Sequence, residues 1–427
     1  MGRPPVADRA GEPAPSPTNV WLRARTLFTM HWMEGALLLG AAVVILGALG
    51  IGRFGYPAIL PFMRQGLALT NTQMGLLTTG NLSGYLLTSV VAGFFVAHVR
   101  PLSLVTLCLL TLAAALALTG WAAGFPWAFA MQTVAGAASG GCVVVALGLV
   151  SSSFSRGARG LATGLAISGA GVGLIVSSVL VSLVQAEGQS SAWRQSWFSL
   201  GAAVVAATAV SAFLLAASGV ADGATATVEA PAENRSAAYR STFVWHIAFA
   251  STFFAFAYVS YSTFYVEFLL RETGLDQNTA SHLWSMVGVS SLLSGVAWGW
   301  LSDVWGRKPS LGLAFLALGT AIGMAVLSHA FVVLLLSAAL FGITVWSTLA
   351  IIVAIYADQL PPQQAPAAIG LTMLVFGLGQ VGGSFLAGRL ADLTGSFRAV
   401  FTIASVAAFI GMAIVLLLQL PRGREAD

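Results

Sequence analysis

The sequence predicts an all-α membrane protein with twelve transmembrane helices in two pseudo-symmetric six-helix bundles. Three observations support this. Of the 427 residues, 57% are hydrophobic and only 8% are charged, whereas soluble domains carry about 25% charged residues. The apolar runs reach about 20 residues or more, the length at which a helix crosses a bilayer with its backbone bonded to itself. The two halves are also faintly alike. Gly66-Leu67 and Thr70-Asn71-Thr72 align with Gly274-Leu275 and Gln277-Asn278-Thr279, Gly93 with Gly299, and Pro101 with Pro309 after a two-residue gap.

Taken in order, residues 1–33 form a Pro- and Arg-containing tail that is expected to be disordered. It has no short apolar core with a small-residue cleavage site, so the first long run reads as an uncleaved span. The first bundle covers 34–217, with spans near 34–62, 73–97, 101–121, 125–150, 161–185 and 196–217. A polar linker at 218–242 holds Asp222, Glu229, Pro231 and Arg235. The second bundle covers 243–420, with spans near 243–270, 279–301, 309–328, 330–356, 366–391 and 397–420. A short tail, 421–427, closes the chain.

The basic residues give the orientation. With the N-terminus inside, thirteen Lys and Arg fall on cytoplasmic segments and five on outer ends and loops, with Arg53 set aside. That asymmetry satisfies the positive-inside rule and places both termini and the linker in the cytoplasm. The net charge of +4 follows from these loops and implies no nucleic-acid partner. Cys108 and Cys142 lie in apolar helices and suggest neither a disulfide framework nor a metal site. No Gly-x-x-x-x-Gly-Lys-[Ser/Thr] loop, His-Glu-x-x-His motif or Ser/His/Asp set is present. Direct ATP drive and intramembrane enzymology therefore have no support, and no cofactor is expected.

Arg53 is the residue around which the site is read. It sits in Gly50-Ile51-Gly52-Arg53-Phe54-Gly55-Tyr56-Pro57, inside the first apolar run. A charge at that depth costs a few kcal/mol or more, so it faces a polar cavity or a partner. The alternative is an Arg that snorkels to the headgroups or pairs with a nearby acid. Tyr56 follows three residues later on the same face. Asn81 and Tyr85 stand one turn apart on the second span, Gln132 lies on the fourth, and Tyr258, Tyr261 and Tyr265 cluster on the seventh. Trp346 lies on the tenth, and Phe376 and Gln380 on the eleventh. For the aromatic residues an interfacial belt is the competing explanation, and for the amides it is a bond between helices. Glu267 is an acid well inside an apolar run. It is either a proton-coupling group or a carboxylate already paired with Arg271 at i+4.

The strongest short motif is Gly299-Trp300-Leu301-Ser302-Asp303-Val304-Trp305-Gly306-Arg307-Lys308-Pro309. It resembles the signature loop of the major facilitator superfamily, which joins the second and third helices of each half. The first-half copy, Gly93 to Pro101, lacks the acid and most of the basic residues. The resemblance implies the major facilitator fold and makes Asp303 and Arg307 a cytoplasmic latch of the outward-open state. Its partner is expected near Arg156 to Gly160, with Asp358 completing the charge network. Gly164, Gly169, Gly171 and Gly173 resemble the glycine-rich fifth helix of drug–proton antiporters, but the Gly-Pro step of that helix is missing. Gly52-Arg53-Phe54-Gly55-Tyr56 and Leu60-Pro61-Phe62-Met63 are similar to the first-helix elements of the bacterial YbfB/YjiJ-type branch.

In this fold the first, fourth, seventh and tenth spans surround the substrate path. The resemblance implies a secondary active transporter of the bacterial inner membrane, working by alternating access as a monomer in the lipid bilayer. The expected substrate is a small organic solute, a carboxylate or other organic anion held by Arg53, with protons as the coupling ion. An exporter of cationic or neutral drugs is the alternative. It would want a buried acid in the first half, and none is evident.

Overall fold

The computed structural model describes residues 32–96, 99–155, 159–185, 191–219, 237–361 and 363–418. The N-terminal tail, most of the linker, Arg156 and the C-terminal tail lie outside them, so the expectations made there have no structural counterpart. Among the described residues there are twelve long helices and no strand. In the first half these are α1 (Trp32–Leu67), α2 (Asn71–Val96), α3 (Pro101–Gly120), α4 (Phe125–Ser153), α5 (Arg159–Gln185) and α6 (Ala192–Ala217). In the second half they are α7 (Thr242–Glu272), α8 (Gln277–Trp305), α9 (Arg307–Leu327), α10 (Phe331–Gln359), α11 (Ala365–Thr394) and α12 (Phe397–Leu417).

The ends of α8 lie a few residues beyond the apolar run expected at 279–301, at Gln277 and Trp305, whereas α12 starts where expected. The Asp276 carboxylate accepts the Thr279 amide at the start of α8, and the Ser396 hydroxyl accepts the Arg398 amide at the start of α12. Both are N-caps that satisfy donors a helix leaves open. Apolarity alone does not register such turns.

Ten of the twelve helices are long and apolar enough to cross a membrane. The other two, α2 and α8, are second in their halves and carry runs of Asn, Gln, Ser and Thr. Both pack against the opposite half as well as their own. Within the halves, α1 packs on α5 as α7 does on α11, and α2 on α4 as α8 does on α10. Likewise α3 packs on α6 as α9 does on α12. Between the halves, α2 meets α11 and α5 meets α8, with α1 against α7. Each pairing maps onto another when the two halves are exchanged, which is the signature of a pseudo-two-fold.

The halves touch most closely toward the end holding the α1–α2 and α7–α8 turns, called here the far end. A Cβ at Gly75 of α2 would sit 2.2 Å from the Ser384 carbonyl oxygen of α11, and one at Gly388 would sit 2.3 Å from that of Asn71. Gly171 and Gly288 make the equivalent approach between α5 and α8. Toward the opposite end, where the linker attaches, a Cβ at Gly164, Gly295, Gly299 or Gly370 meets nothing within 4 Å. The hydrogen bonds that join described residues of the two halves lie at the level of Arg53 or beyond it toward the far end. The halves therefore meet at the far end and part toward the linker end.

Candidate functional site

Two interrupted helices meet at the centre. In α1 the chain widens to a π-segment at Leu46–Ile51, with the Gly52 amide bonded to the Gly47 carbonyl at 2.9 Å. Gly52 to Gly55 follow as a turn, and the helix resumes at Tyr56 with Pro57 in its first turn. Pro57 has no N–H, so it cannot close the helical bond back to the Arg53 carbonyl. In α10 the helix breaks between Thr344 and Ser347. The freed Trp346 amide donates to the Ser294 hydroxyl of α8 at 3.0 Å. Irregular backbone at membrane depth is tolerated where it is buried in protein or lines a cavity. The two breaks are neighbours, with Phe54 and Trp346 meeting edge to face at 6.2 Å. Together with Trp284 and Phe341 they line a small apolar crevice.

The α1 break presents Arg53 to the interface. One guanidinium nitrogen donates to the Gln380 amide oxygen of α11 at 3.0 Å. The guanidinium carbon lies 5.7 Å from the Phe54 ring centroid, 6.0 Å from Tyr85 and 5.8 Å from Tyr258. Among the described residues no carboxylate forms an ion pair with Arg53. The structure thus gathers Arg53, Tyr85, Tyr258 and Gln380 from four helices, with Trp346 reached through Phe54. The indole N–H of Trp346 and the hydroxyl of Thr348 are buried and have no hydrogen-bond partner among the described residues.

The other candidates turn into their own halves. Tyr56 donates its hydroxyl to the Met74 carbonyl at 2.9 Å and packs on Trp197. Asn81 donates to Gln132 at 3.3 Å, and Gln132 donates to Thr119 at 3.4 Å, which closes a buried polar chain across α2, α4 and α3. Tyr261 shares a hydrogen bond with Ser337 and stacks on Tyr265 and Phe341. Tyr265 donates to the Leu334 carbonyl at 2.9 Å, and Phe376 packs on Phe254. These polar groups are buried and satisfied, as the interior of a bundle requires. Tyr258, Tyr261 and Tyr265 stand at i, i+3 and i+7 on one face of α7, where Tyr258 and Tyr261 both stack on Phe341, so position along the helix axis separates Tyr258 from the other two.

Glu267 lies near the far end of α7 and is 2% exposed. Its carboxylate pairs with Arg64 of α1 at 3.2 Å and with Arg271 at 3.7 Å. Arg271 also donates to the Asn71 side chain at 3.4 Å. The i+4 partner was legible in the sequence, whereas the cross-half partner Arg64 was not, because it is 203 positions away. A second far-end acid, Asp392 of α11, escaped the sequence reading altogether. Its carboxylate accepts the backbone amides of Asn71 at 2.9 Å and Thr72 at 2.7 Å, and also the Thr72 hydroxyl. One half thereby caps the first turn of α2 in the other. The only sequence signal was an acid at the end of an apolar run.

At the linker end Arg307 donates to Asp303, to Asp358 at 2.7 Å and to Ser302 at 2.8 Å. All three lie in the second half. Arg159 and Gly160 are exposed, and residues 156–158 lie outside the described residues.

Comparison with known proteins completes the picture. Over 152 residues the chain is 32% identical to solute carrier family 67 member A1 of Homo sapiens, covering 35% of this chain and 36% of that protein. It is 26% identical over 180 residues to the uncharacterized MFS-type transporter YybF of Bacillus subtilis (strain 168), covering 40% of this chain and 44% of that one. It is also 26% identical over 151 residues to monocarboxylate transporter 13 of Rattus norvegicus, covering 35% of each. The chain thus spans less than half the length of these curated relatives. Two solved structures share the fold. One is the bacterial homolog to the human lysosomal transporter Spinster, inward-facing and unoccupied (TM-score 0.67, 15% identity, 90% of this chain and 95% of that one). The other is a point mutant of the nucleoside transporter NupG (TM-score 0.72, 13% identity, 90% and 99%). The family described as uncharacterised MFS-type transporter YbfB matches residues 44–416. With two six-helix halves, broken helices at the centre and that match over most of its length, this chain belongs to the YbfB-type family of major facilitator transporters.

Proposed function

We propose that the protein is a secondary active transporter of a small organic anion, bound at Arg53 and moved by alternating access. The single observation that supports this most is the Arg53 guanidinium, held at the interface of the halves with a neutral amide and aromatic rings but no carboxylate among the described residues. An unneutralised cation at membrane depth is costly, and a ligand anion offsets that cost. The planar fork of Arg matches a carboxylate bidentately. Tyr85, Tyr258 and Trp346 supply apolar surface for the rest of the solute. The partial likeness to a monocarboxylate transporter agrees with this chemistry.

With the termini in the cytoplasm of a bacterial inner membrane, the parting of the halves toward the linker end is an inward-facing state. Asp303, Arg307 and Asp358 then form the cytoplasmic charge cluster that latches when the cleft closes. Glu267 is the proton-coupling candidate. Moving the halves apart at the far end separates it from Arg64, and a proton can replace the lost cation.

A thermal-shift screen of the purified protein tests the reading, because a ligand bound only to the folded state raises apparent stability. Carboxylates are expected to stabilise the wild type and not a folded Arg53→Ala variant. Stabilisation of both proteins by amines or neutral drugs would overturn the anion site in favour of an exporter. Proteoliposome uptake under an imposed pH gradient, with Glu267→Gln, then tests proton drive. Undiminished gradient-driven uptake in that variant removes Glu267 from the coupling step.

A further inference from the structure

We infer that the Gln380 side-chain oxygen is an internal stand-in for the anionic group of the substrate, which loads by displacing it from Arg53. This rests on the reading of Arg53 as the anion site. Guanidinium groups only donate, so the oxygen of the Gln380 amide is the atom that must face it. Arg64 and Arg271 are met by Glu267 and Arg307 by Asp303 and Asp358, while half-buried Arg194 donates to the Gly120 and Ala122 carbonyls within its own half. Of the three arginines that bond across the halves, Arg53, Arg64 and Arg271, Arg53 alone has no acid partner among the described residues. Gln380 is 6% exposed, so it is held in place and not solvated.

An amide oxygen satisfies the direction of the guanidinium donors without neutralising the charge. A carboxylate does both: the Arg53–Gln380 bond is charge-assisted on the donor side only, whereas a carboxylate adds the opposite charge and a second parallel acceptor for the fork. A substrate anion therefore outcompetes Gln380, whereas an internal acid at that position would compete with the substrate on equal terms. Because a single cation is unpaired, the geometry selects a monoanion with a planar pair of oxygens, carried on an apolar body that packs against the Tyr85 and Tyr258 rings. Arg53 belongs to the first half and Gln380 to the second. Displacement thus neutralises the site and removes a bond between the halves in one event, at a level where they begin to part.

The test uses the full chain in lipid nanodiscs, with acetate, L-lactate and benzoate as probes. The rate of Arg53 modification by p-hydroxyphenylglyoxal is read by mass spectrometry, with Arg271 as the internal reference. In the wild type a carboxylate slows modification of Arg53. Gln380→Ala is expected to speed modification several-fold and to lower the half-protecting carboxylate concentration several-fold. Gln380→Glu is expected to slow modification at least tenfold and to abolish the carboxylate effect, since the new acid occupies the fork permanently. If carboxylates protect the wild type and both variants at the same concentration, Gln380 is no competitor and the inference fails while the anion site stands. If no carboxylate protects Arg53 in the wild type or in Gln380→Ala, the anion site fails and the inference goes with it.

Discussion

The far-end contact of Asp392 makes a sharp prediction, because one carboxylate of the second half finishes a helix of the first. Asp392→Asn keeps the size of the side chain but removes its charge and one acceptor oxygen. Three donors are affected: the amides of Asn71 and Thr72 and the Thr72 hydroxyl. Asn still caps through its remaining oxygen, so the loss is that of the charge and the second acceptor, and charge-assisted bonds are worth about 1.5–3 kcal/mol each in favourable sites. Asp392 is exposed, and solvent screening cuts such terms to the low end. A total of about 1–2 kcal/mol remains, which corresponds to a roughly 5- to 30-fold change in a two-state ratio. Because the bonds join the halves only while the far end is closed, the substitution is expected to raise the far-end-open population by that factor. Spin labels at Ala123→Cys and Ala330→Cys, in a background with Cys108 and Cys142 replaced, would read the separation of the halves. Asp276→Asn is the control. It removes the charge and one acceptor of an N-cap in the same way, but of one that lies within the second half. Equal distance distributions for wild type and Asp392→Asn would refute the reasoning, as would equal shifts for Asp392→Asn and Asp276→Asn.

Other perturbations follow from the same geometry. Glu267→Gln leaves Arg64 and Arg271 without their counter-charge. Breaking a buried pair costs about 3–5 kcal/mol, and the partial exposure of both arginines reduces this to about 1–3 kcal/mol. The melting temperature should drop by several degrees, and an unchanged value would mean that the pair contributes nothing net. Gly388→Val places side-chain atoms where a Cβ already sits 2.3 Å from the Asn71 carbonyl oxygen. The far end should then no longer close, and the same spin-label pair should report a separated population in most molecules. Arg53→Lys keeps the charge but loses the fork, and the half-protecting carboxylate concentration should rise at least tenfold in the thermal-shift screen. The Asp276 carboxyl is held below its usual range by the Thr279 hydroxyl and then by its amide. A depressed folded value stabilises above the unfolded value of about 3.9 and is lost as pH falls through the folded one. Amide-exchange protection at Thr279 should therefore persist at pH 5 and collapse below about pH 4, whereas Asp276→Ser should show no such step.

Much of this protein is legible in its sequence because a bilayer leaves few choices. An apolar run in lipid must be helical, so the number of spans follows from hydropathy with little help from tertiary contacts. Even the two helices too polar to qualify as spans by composition, α2 and α8, are recognisable from their place in the repeat. Arg53 also stood out in the sequence, since a charge between glycines and a proline inside an apolar run is costly wherever it points. The motif from Gly299 to Pro309 marked Asp303 and Arg307 in the same way.

Pairing between distant segments, and the depth along each helix at which the other half is met, could not be read. Tyr258, Tyr261 and Tyr265 share a helix and a composition, yet only Tyr258 reaches Arg53. The other two close the core of their half on Ser337 and Leu334. Asn81 and Gln132 stood out as polar residues at membrane depth, and the structure joins them to each other. The partners that give Arg53, Glu267 and the α2 N-terminus their meaning are Gln380, Arg64 and Asp392, all in the opposite half. One-dimensional periodicity specifies which face of a helix is polar, but not which helix of the other half it will meet. The amino-acid order determined the helices, their number and the charge at the centre. The docking of the two halves decided that this charge would face a neutral amide, and that the two far-end acids would hold the halves together.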